Sequence, residues 1–422
     1  MPEIAALHSR RTTPLRLGRR TAFWLLAATL GLLLFASSAP SPLYVVYQAE
    51  WGFSTITLTS VFAVYALGLL AALVIAGSVS DHVGRRPTLL VGLGLEVVGM
   101  LLFAEAQSVV WLFAARTVQG VATGIAMGAI SAALIDLEPQ ERLGSTLGVA
   151  APLGGLAAGA LGAGVLVEYG PDPTRFVFWL LVGAFVGASV LAAGIPETVS
   201  RGGPWLHSLR PRLAVPAGLR PACVGAIPCL VATWALGGLI LSLGPSLTAG
   251  VLGDRSHVAG GLPIFIMAGV SAVASVRLRE AHARSTARAG LGAMIVGVGL
   301  ALAALAAGST VVFLVATAIA GLGFGPAFAG AFRALSSRAP AAERGGLVSS
   351  ILAVSYLAFS LPAVAAGAAI PTLGLRETAT VYGAALIGLA VIALGLSARL
   401  EDPDSTPTVR AARRAGLALE PD

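Results

Sequence analysis

The sequence predicts an all-α polytopic membrane protein with twelve transmembrane helices in two pseudo-symmetric six-helix bundles. Two properties of the chain lead to this fold class. Hydrophobic residues make up 56% of the 422 residues and charged residues only 11%, whereas soluble domains carry about a quarter charged residues. In addition, apolar stretches of about 20 residues, long enough to cross a ~30 Å hydrocarbon core as a helix, recur along the chain.

Twelve such stretches follow one another between the amino-terminal arginines and the carboxyl-terminal tail. Polar or charged residues separate most of them and are expected to lie in connecting loops. The predicted spans are 22 to 42, 56 to 79, 88 to 105, 108 to 135, 144 to 168, 175 to 195, 222 to 245, 257 to 276, 287 to 307, 310 to 334, 345 to 370 and 377 to 398.

The first stretch, RRTAFWLLAATLGLLLFASSAP, has two interpretations. A basic flank, an apolar run and small residues are also typical of a cleavable signal peptide. Further apolar stretches follow it to the end of the chain, so a first membrane helix is favoured. Arg19 and Arg20 then serve as a cytoplasmic anchor rather than as a twin-arginine signal.

The positions of the arginines predict the orientation. All 27 basic residues are arginine. With both termini inside, only Arg175, Arg255 and Arg376 fall on outer loops, Arg116 lies within a span, and the others lie on inner segments. Short loops rich in Arg or Lys stay in the cytoplasm. We therefore expect a multi-pass protein of the inner (plasma) membrane with cytoplasmic N- and C-termini.

The longest polar interruption separates six spans from six, and the two halves show an internal repeat. Segments that end in Glu141–Arg142 and Glu343–Arg344 resemble each other at a distance of 202 residues. Many secondary transporters are built from such duplicated units. The expected organisation is a cytoplasmic N-terminal tail (1–21), an N-terminal six-helix bundle (22–196), a cytoplasmic linker (197–220), a C-terminal six-helix bundle (221–399) and a disordered cytoplasmic tail (400–422).

Residues 77 to 86 read GSVSDHVGRR and fall on the predicted inner loop between the second and third spans. Gly77 suits close helix contact, Asp81 can accept hydrogen bonds, Gly84 permits a tight turn, and Arg85 and Arg86 can anchor the loop and reach acidic partners. A simple positively charged loop would explain the arginines. It would not explain the spacing of the two glycines and the aspartate.

This loop, together with twelve spans and a linker after the sixth, resembles the major facilitator superfamily, whose members carry G-x-x-x-D-x-x-G-R-[RK] at this place. The resemblance covers residues 20 to 400 and implies the major facilitator fold and a monomer. In the family, the acid of this motif packs against the start of the eleventh helix and holds the outward-facing state together. By resemblance, Asp81 is expected to meet the backbone near residues 343–346.

The fourth span contains RTVQGVATG, formed by Arg116, Gln119, Gly120 and Gly124. It is similar to the R-x-x-Q-G pattern of proton-coupled drug exporters in the superfamily. An arginine deep in a membrane helix costs about 2.5 to 3.5 kcal/mol even on lenient scales. Arg116 is therefore expected to face the protein interior and to have a partner.

Glu96 in the third span is the candidate partner, because it lies at a depth similar to that of Arg116, roughly 15 Å from the outer turn by helical rise. One interpretation is a proton-linked pair whose charge balance changes when Glu96 is protonated. The others are a permanent structural ion pair and a Glu96 at a packed helix face. Drug exporters of this type often carry an acid in the first span, which this chain lacks, so Glu96 is the one carboxylate well inside any predicted span.

The fifth span, GVAAPLGGLAAGALGAG, partly matches the G-P-x-x-G-G signature of drug antiporters: Pro152 and Gly155 fall on the signature's proline and on the first glycine after it, and Gly154 precedes Gly155. Alanine stands where that signature has the glycine before proline. Small residues repeated every four positions also let another helix approach closely. The small residues of this stretch are therefore explained equally well by close helix packing and by an antiport function.

The expected function is secondary active transport by alternating access, in the form of proton-driven efflux of small organic or drug-like molecules by an antiporter. Phe62, Tyr65 and Trp234 are candidate wall residues of the substrate cavity. The leading alternative is proton-coupled uptake of a small anionic or neutral metabolite, with Arg116 as the main charge of the cavity. A more remote alternative is a membrane receptor that has lost transport.

Other classes of function lack sequence support. The chain contains no HExxH, no nucleophile elbow, no metal-ligand cluster and no GxxxxGK[ST] loop. We expect no enzymatic activity, no catalytic residue, no metal and no cofactor. Because the arginines are scattered over short loops, nucleic-acid binding is not expected either. The expected partners are a small-molecule substrate, protons and the lipid bilayer.

Overall fold

The computed structural model describes residues 17–76, 79–199, 213–254, 256–340 and 343–399. Within these ranges the chain forms α-helices and a short 3₁₀ turn (Ala217–Leu219), with no strand. The predicted tail at 400–422 lies outside these ranges. Most of the predicted tail at 1–21 and of the predicted linker at 197–220 also lies outside them.

The described residues form fourteen α-helices. They are α1 (Arg19–Ser38), α2 (Pro40–Trp51), α3 (Thr55–Ala76), α4 (Val79–Val83), α5 (Arg85–Ala104), α6 (Val109–Leu137), α7 (Leu143–Tyr169), α8 (Phe176–Ala192), α9 (Arg220–Gly250), α10 (His257–Arg277), α11 (Ala283–Ala307), α12 (Thr310–Ser336), α13 (Arg344–Leu373) and α14 (Leu375–Arg399).

The all-α polytopic fold class is confirmed. Eleven helical stretches of the described residues are long and apolar enough to cross a membrane, with α1 and α2 together forming one of them. The sixth predicted span corresponds to α8, which has 17 residues. A helix of this length measures about 25 Å and stands at the short end of the range that crosses a bilayer. The first span extends beyond its predicted end, because helical structure continues to Trp51.

Prolines interrupt the hydrogen-bond ladder of the first span between α1 and α2. α1 ends at Ser38 and α2 begins at Pro40, with Ala39 between them. Proline has no N–H group, so Pro40 cannot donate to the carbonyl of Ala36 as a helical residue at its position would. In a bilayer no water replaces the missing donor. Another part of the protein must supply it.

Helices α1 to α8 pack mainly against one another, and so do α9 to α14. Buried apolar side chains form two clusters, one from the first eight helices and one from the last six, extended by residues of α3 and α7. The main contacts between the two groups join α7 to α10 and α3 to α13. We propose that the two groups are the bundles that the sequence analysis expects at 22–196 and 221–399.

One end of the helical assembly, here termed the motif face, holds Gly84 and the start of α5, and the opposite end is termed the far face. α7 and α10 meet toward the far face. A Cβ atom added to Gly164 would lie 2.6 Å from the carbonyl oxygen of His257. Glu168 accepts hydrogen bonds from the backbone N–H of His257 at 2.8 Å and from its Nδ1 at 3.0 Å. This pair joins the two groups of helices at the far face.

α3 and α13 also meet on the far-face side. A Cβ atom on Gly367 would lie 2.1 Å from the Thr59 hydroxyl, so the two helices touch where neither has a large side chain. Deeper in the assembly, the rings of Phe62 and Phe359 lie 5.0 Å apart between their centroids. The two helix groups are thus closed against each other toward the far face.

Several glycines of the predicted motifs are sites of close helix packing. An added Cβ atom would lie 2.2 Å from a backbone oxygen of α3 at Gly120 and 2.7 Å from another at Gly124. At Gly155 it would lie 2.0 Å from a backbone oxygen of α1. Gly154, which belongs to the same predicted motif, makes no such close contact, because no atom lies within 4 Å of a Cβ atom added there. Gly154 points away from the α1–α7 contact.

We expect Gly155→Ala to destabilise the protein and Gly154→Ala, its neighbour in sequence, to leave stability close to wild type. The methyl group at residue 155 must push α1 and α7 apart, and overpacking of this kind costs about 1–3 kcal/mol. Thermal unfolding of detergent-purified variants measures the difference. Equal unfolding temperatures for the two variants would contradict the close α1–α7 contact.

Candidate functional site

Arg116 is fully buried in the middle of the first eight helices and bonds to the interrupted first span. It is 0% exposed. Its Nε donates to the Tyr44 hydroxyl at 2.5 Å, and its Nη1 donates to the Ser37 carbonyl at 2.9 Å and to Gln119 Oε1 at 2.8 Å. The guanidinium also lies over the rings of Tyr44 and Tyr65, 5.5 and 5.2 Å from their centroids, which stabilises a buried cation.

Gln119 completes this arrangement one helical turn later on α6. Its Oε1 accepts from Arg116, and its Nε2 donates to the carbonyl of Ala36 at 2.9 Å. This carbonyl is the one that loses its helical donor because residue 40 is proline. Arg116 and Gln119 therefore supply hydrogen bonds to the carbonyls of Ala36 and Ser37 just before the interruption.

Glu96 on α5 is buried and bonds to a hydroxyl on α6. It is 0% exposed, and the Thr123 hydroxyl donates to its Oε1 at 2.5 Å. Its Oε2 has no hydrogen-bond partner among the described residues. Thr123 lies seven residues after Arg116, so both side chains stand on the same face of α6.

Glu96 and Arg116 do not form the direct ion pair that was one interpretation of their positions in the sequence. No ion pair joins them within 4 Å. The described bonds of Arg116 lead to the first span and to Gln119, whereas Glu96 bonds to Thr123. Of the open interpretations, the structure rules out a permanent contact ion pair.

A central cavity lies between the two groups of helices, with a volume of about 990 Å³ including the open space at its mouth. Its wall is mostly apolar and aromatic, and none of its lining side chains is charged. Tyr65, Pro152 and Trp234 line it. Trp234 lies at the centre of an aromatic group, because its ring centroid is 4.7 Å from that of Tyr356 and 5.4 Å from that of Phe328.

Two expectations about the cavity wall are wrong. Phe62 does not line the cavity but is buried behind it, packed against the ring of Phe359. Arg116 does not line it either, since Tyr65 covers the guanidinium and Ser37 takes one of its bonds. The main charge of the first eight helices is therefore held behind the wall rather than in it.

At the motif face, Arg85 is the centre of a polar network. It donates to the Asp81 carboxylate, to the Ser80 hydroxyl at 2.7 Å and to Asp136 Oδ2 at 3.5 Å. The Thr198 hydroxyl also donates to Asp136 Oδ2, at 2.7 Å. The network thus joins α4, α5, α6 and the segment after α8.

Gly84 and Glu197 form the start of α5. The carboxylate of Glu197 accepts from the backbone N–H groups of Arg85 at 2.8 Å and Arg86 at 3.2 Å, which lack helical partners at a helix start. Gly84 has a φ of 111°, and a Cβ atom there would lie 2.5 Å from Glu197 Oε2. Only glycine suits both the backbone angle and the close carboxylate. Gly77, the other glycine of the motif, lies outside the described residues.

A family model described as the Major Facilitator Superfamily matches residues 26–361, which include the helices that carry the motif, Arg116 and most of the cavity wall. The chain belongs to the major facilitator superfamily.

Similar proteins agree with this membership. The chain is 31% identical over 200 residues to the "Multidrug transporter MdfA" of Yersinia pestis, with 44% of this chain and 46% of that protein covered. It is 28% identical over 152 residues to the "Multidrug resistance protein MdtL" of Klebsiella pneumoniae, with 35% and 37% covered. The matches thus span less than half the length of these relatives.

A solved structure, a crystal structure of a mutant of the nucleoside transporter NupG, matches with a TM-score of 0.67 and 12% sequence identity. The match covers 90% of this chain and 100% of that one. At this identity the likeness shows the fold alone. The chain is thus a multi-pass membrane protein with the superfamily's fold and with sequence similarity to multidrug transporters.

The superfamily motif is engaged differently from the expectation for Asp81. Its side chain pairs with Arg85, is 52% exposed, and has no described bond to residues 343–346. The start of α13 instead contacts the segment before α9, because the Ala214 N–H donates to the Gly346 carbonyl at 3.4 Å. In this conformation the motif holds α4, α5 and α6 together and does not join them to α13.

Several residues that bond to the candidate site were not predicted from the sequence, among them Thr123, Tyr44 and Glu197. Thr123 shares a helix face with Arg116, and this heptad spacing is a signal that could have identified it. Tyr44 and Glu197 gave no comparable signal, because both are brought to their partners from distant parts of the chain, 72 residues from Arg116 and 112 from Arg85.

We expect Arg116→Lys to lower stability more than Tyr44→Phe does. An ammonium group cannot reproduce the planar fork that bonds to Tyr44, Ser37 and Gln119 at once. Each buried group left without its bond costs about 1–3 kcal/mol, and Tyr44→Phe removes only one bond. Thermal unfolding in detergent compares the two variants. Wild-type stability of Arg116→Lys would show that the fork does not hold the first span.

Proposed function

We propose that this protein is a proton-driven exporter of uncharged lipophilic molecules that carry aromatic groups. The observation that carries the proposal is an aromatic cavity without lining charges, set between two groups of helices, of which the first also buries a carboxyl group, Glu96. The names of its relatives, a multidrug transporter and a multidrug resistance protein, favour efflux of such molecules.

The cavity wall supports the substrate class. Trp234, Phe324, Phe328, Tyr356 and Phe359 contribute rings from the second group of helices, and aromatic rings favour flat apolar ligands by stacking and edge contacts. Binding sites of this kind are apolar with a few polar groups for orientation. A charged substrate would lose its hydration without meeting a countercharge in the wall.

The positions of the contacts support alternating access. The two groups of helices touch toward the far face, at the Glu168–His257 pair and at Gly367, while the cavity wall includes Gly148 and Val149 near the start of α7, toward the motif face. Rocking of one bundle against the other would close the motif face and open the far face. The arginine distribution predicts that the motif face is cytoplasmic, so this conformation would be the one that loads a substrate for export.

Glu96 is the proposed proton carrier. It is the one buried carboxyl group among the described residues, and ionisable residues inside a membrane are functional candidates by default. Because Glu96 bonds to Thr123 and not to Arg116, no contact ion pair holds its carboxyl group in the charged form. A proton can therefore be gained or lost at this position during the transport cycle.

Proton-coupled uptake of an anionic metabolite is less well supported. That alternative relied on Arg116 as a charge in the cavity, and Arg116 lies behind Tyr65 with its described bonds made to protein groups. An anion in the cavity would meet no lining cation.

We expect Glu96→Gln to abolish substrate-triggered proton movement, because the amide cannot exchange a proton. The measurement uses purified protein in liposomes with a pH-sensitive dye, challenged with lipophilic cations, neutral aromatic drugs and organic anions in turn. Glu105→Gln is the matched control, since Glu105 is exposed just beyond the end of the same helix. Undiminished proton movement in Glu96→Gln would contradict proton coupling through this residue.

We expect Trp234→Leu to weaken binding of a neutral aromatic substrate by roughly 3- to 10-fold, the size of one or two lost aromatic contacts. Equilibrium titration of a fluorescent aromatic substrate from the same panel measures the affinity. Trp179→Leu, on the exposed surface of α8, is the matched control. Unchanged affinity in Trp234→Leu would remove the aromatic group from the binding site.

A further inference from the structure

The hydroxyl of Tyr65 is a buried polar group in the wall of the central cavity. Tyr65 is 3% exposed and lines the cavity, and its hydroxyl makes no hydrogen bond among the described residues. The hydroxyls of Ser37 and Thr123 lie near it, on the side of the wall where the Arg116 guanidinium packs against the Tyr65 ring. A buried hydroxyl without a partner costs free energy, so its presence requires an explanation.

Thr123 connects this position to the buried carboxyl group. Its hydroxyl donates to Glu96 Oε1 at 2.5 Å, and a threonine oxygen that donates one hydrogen bond can still accept another. Thr123 is thus bonded to Glu96 and lies near the Tyr65 hydroxyl, so a turn of that hydroxyl toward Thr123 would connect the cavity wall to the carboxyl group. Each of them can pass a proton on to the next.

The other helices packed against α5 offer no comparable route within the described residues. α8 has no titratable side chain, and α4 carries Asp81 and His82 at the motif face. α6 carries Asp136 at the motif face and Arg116 near Glu96. A guanidinium keeps its protons and has no acceptor atom, so Arg116 cannot relay one.

We propose that Tyr65 and Thr123 form a two-hydroxyl relay that carries a proton between the central cavity and Glu96. The proposal rests on the proton coupling through Glu96 proposed above. On release, the Thr123 hydroxyl first turns so that it donates to Tyr65 instead of Glu96; Glu96 then gives its proton to the Thr123 oxygen, the original Thr123 proton passes to the Tyr65 oxygen, and the original Tyr65 proton passes to water in the cavity. One proton leaves the carboxyl group and one enters the water, while each hydroxyl ends with one proton. Uptake follows the reverse order.

A relay determines how fast protons move and not how many are exchanged. Loss of either hydroxyl should slow proton release while leaving the number of protons released per protein unchanged. Loss of the carboxyl group should remove the release altogether. A merely structural role for Tyr65 or Thr123 would not separate the rate from the number in this way.

The test measures the rate and the amplitude of proton release by stopped flow with a pH-sensitive dye, after a neutral aromatic substrate is added to the purified protein. Tyr65→Phe and Thr123→Val remove one hydroxyl each with little change of shape. Thr123→Ser restores the hydroxyl. Thr117→Val is the matched control, because Thr117 is exposed on the same helix and its hydroxyl bonds to the Phe113 carbonyl.

We expect the release rate to fall by about tenfold or more in Tyr65→Phe and Thr123→Val, since positioned proton donors contribute factors of this size or larger. The amplitude at saturating substrate should stay near wild type in both variants, and the equilibrium affinity for the substrate should stay near wild type in Thr123→Val, because Thr123 does not line the cavity. Thr123→Ser and Thr117→Val should release protons at the wild-type rate.

Wild-type rates in both Tyr65→Phe and Thr123→Val, with release abolished in Glu96→Gln, would overturn the relay and leave the coupling through Glu96 intact. A change of substrate affinity in Tyr65→Phe without a change of rate would also overturn it, because Tyr65 would then only contact the substrate. Undiminished release in Glu96→Gln would reject the coupling itself, and the relay with it.

Discussion

The hydrogen bonds between Arg116 and the interrupted first span are the interaction on which the arrangement of the first eight helices depends. A bilayer supplies no water for a free carbonyl or for a guanidinium. The prolines that follow α1 leave a carbonyl without its helical donor, and Arg116 places a guanidinium that needs acceptors at the same depth. Arg116 and Gln119 serve both needs by donating to the carbonyls of Ala36 and Ser37, and of the guanidinium nitrogens only Arg116 Nη2 has no partner among the described residues. These bonds fix the rotation of α6 relative to α1 and thereby the face on which Thr123 meets Glu96.

Charge and aromatic surface are divided between the two groups of helices. Glu96 and Arg116, the only buried charged side chains among the described residues, belong to the first group, whereas most of the rings in the cavity wall, including Trp234, belong to the second. Tyr65 stands between them, with its ring against the Arg116 guanidinium and its side chain in the wall. Under the proposed function, the first group of helices takes up and releases the proton and the second group binds the substrate. A movement of the first group against the second would then couple proton movement to substrate transport.

Small residues decide where the two groups can touch. On the far-face side, Gly164 and Gly367 bring α7 and α3 against α10 and α13 with no room for a methyl group, and the Glu168–His257 pair adds a polar contact. Near the motif face, the network around Arg85 bonds within the first group. The described contacts between the groups therefore extend from the far face to the middle of the helices, an arrangement that suits rocking about a central cavity.

The sequence by itself determined the spans, the expected orientation, the motif loop and the interior position of Arg116, because each follows from local composition or from the cost of placing a group in hydrocarbon. The partners of the buried groups were decided only by the tertiary structure. Depth along a helix can be counted from sequence only when the turn between two helices is placed correctly: the count put Glu96 level with Arg116, whereas Glu96 lies beside Thr123, about two helical turns further along α6. Rotation about the helix axis depends on packing against distant segments. This rotation decides that Arg116 forms a hydrogen bond with Tyr44 and that Glu96 forms one with Thr123. The same reason explains why Phe62 lies behind the cavity wall while Tyr65, less than one turn further along α3, lines it.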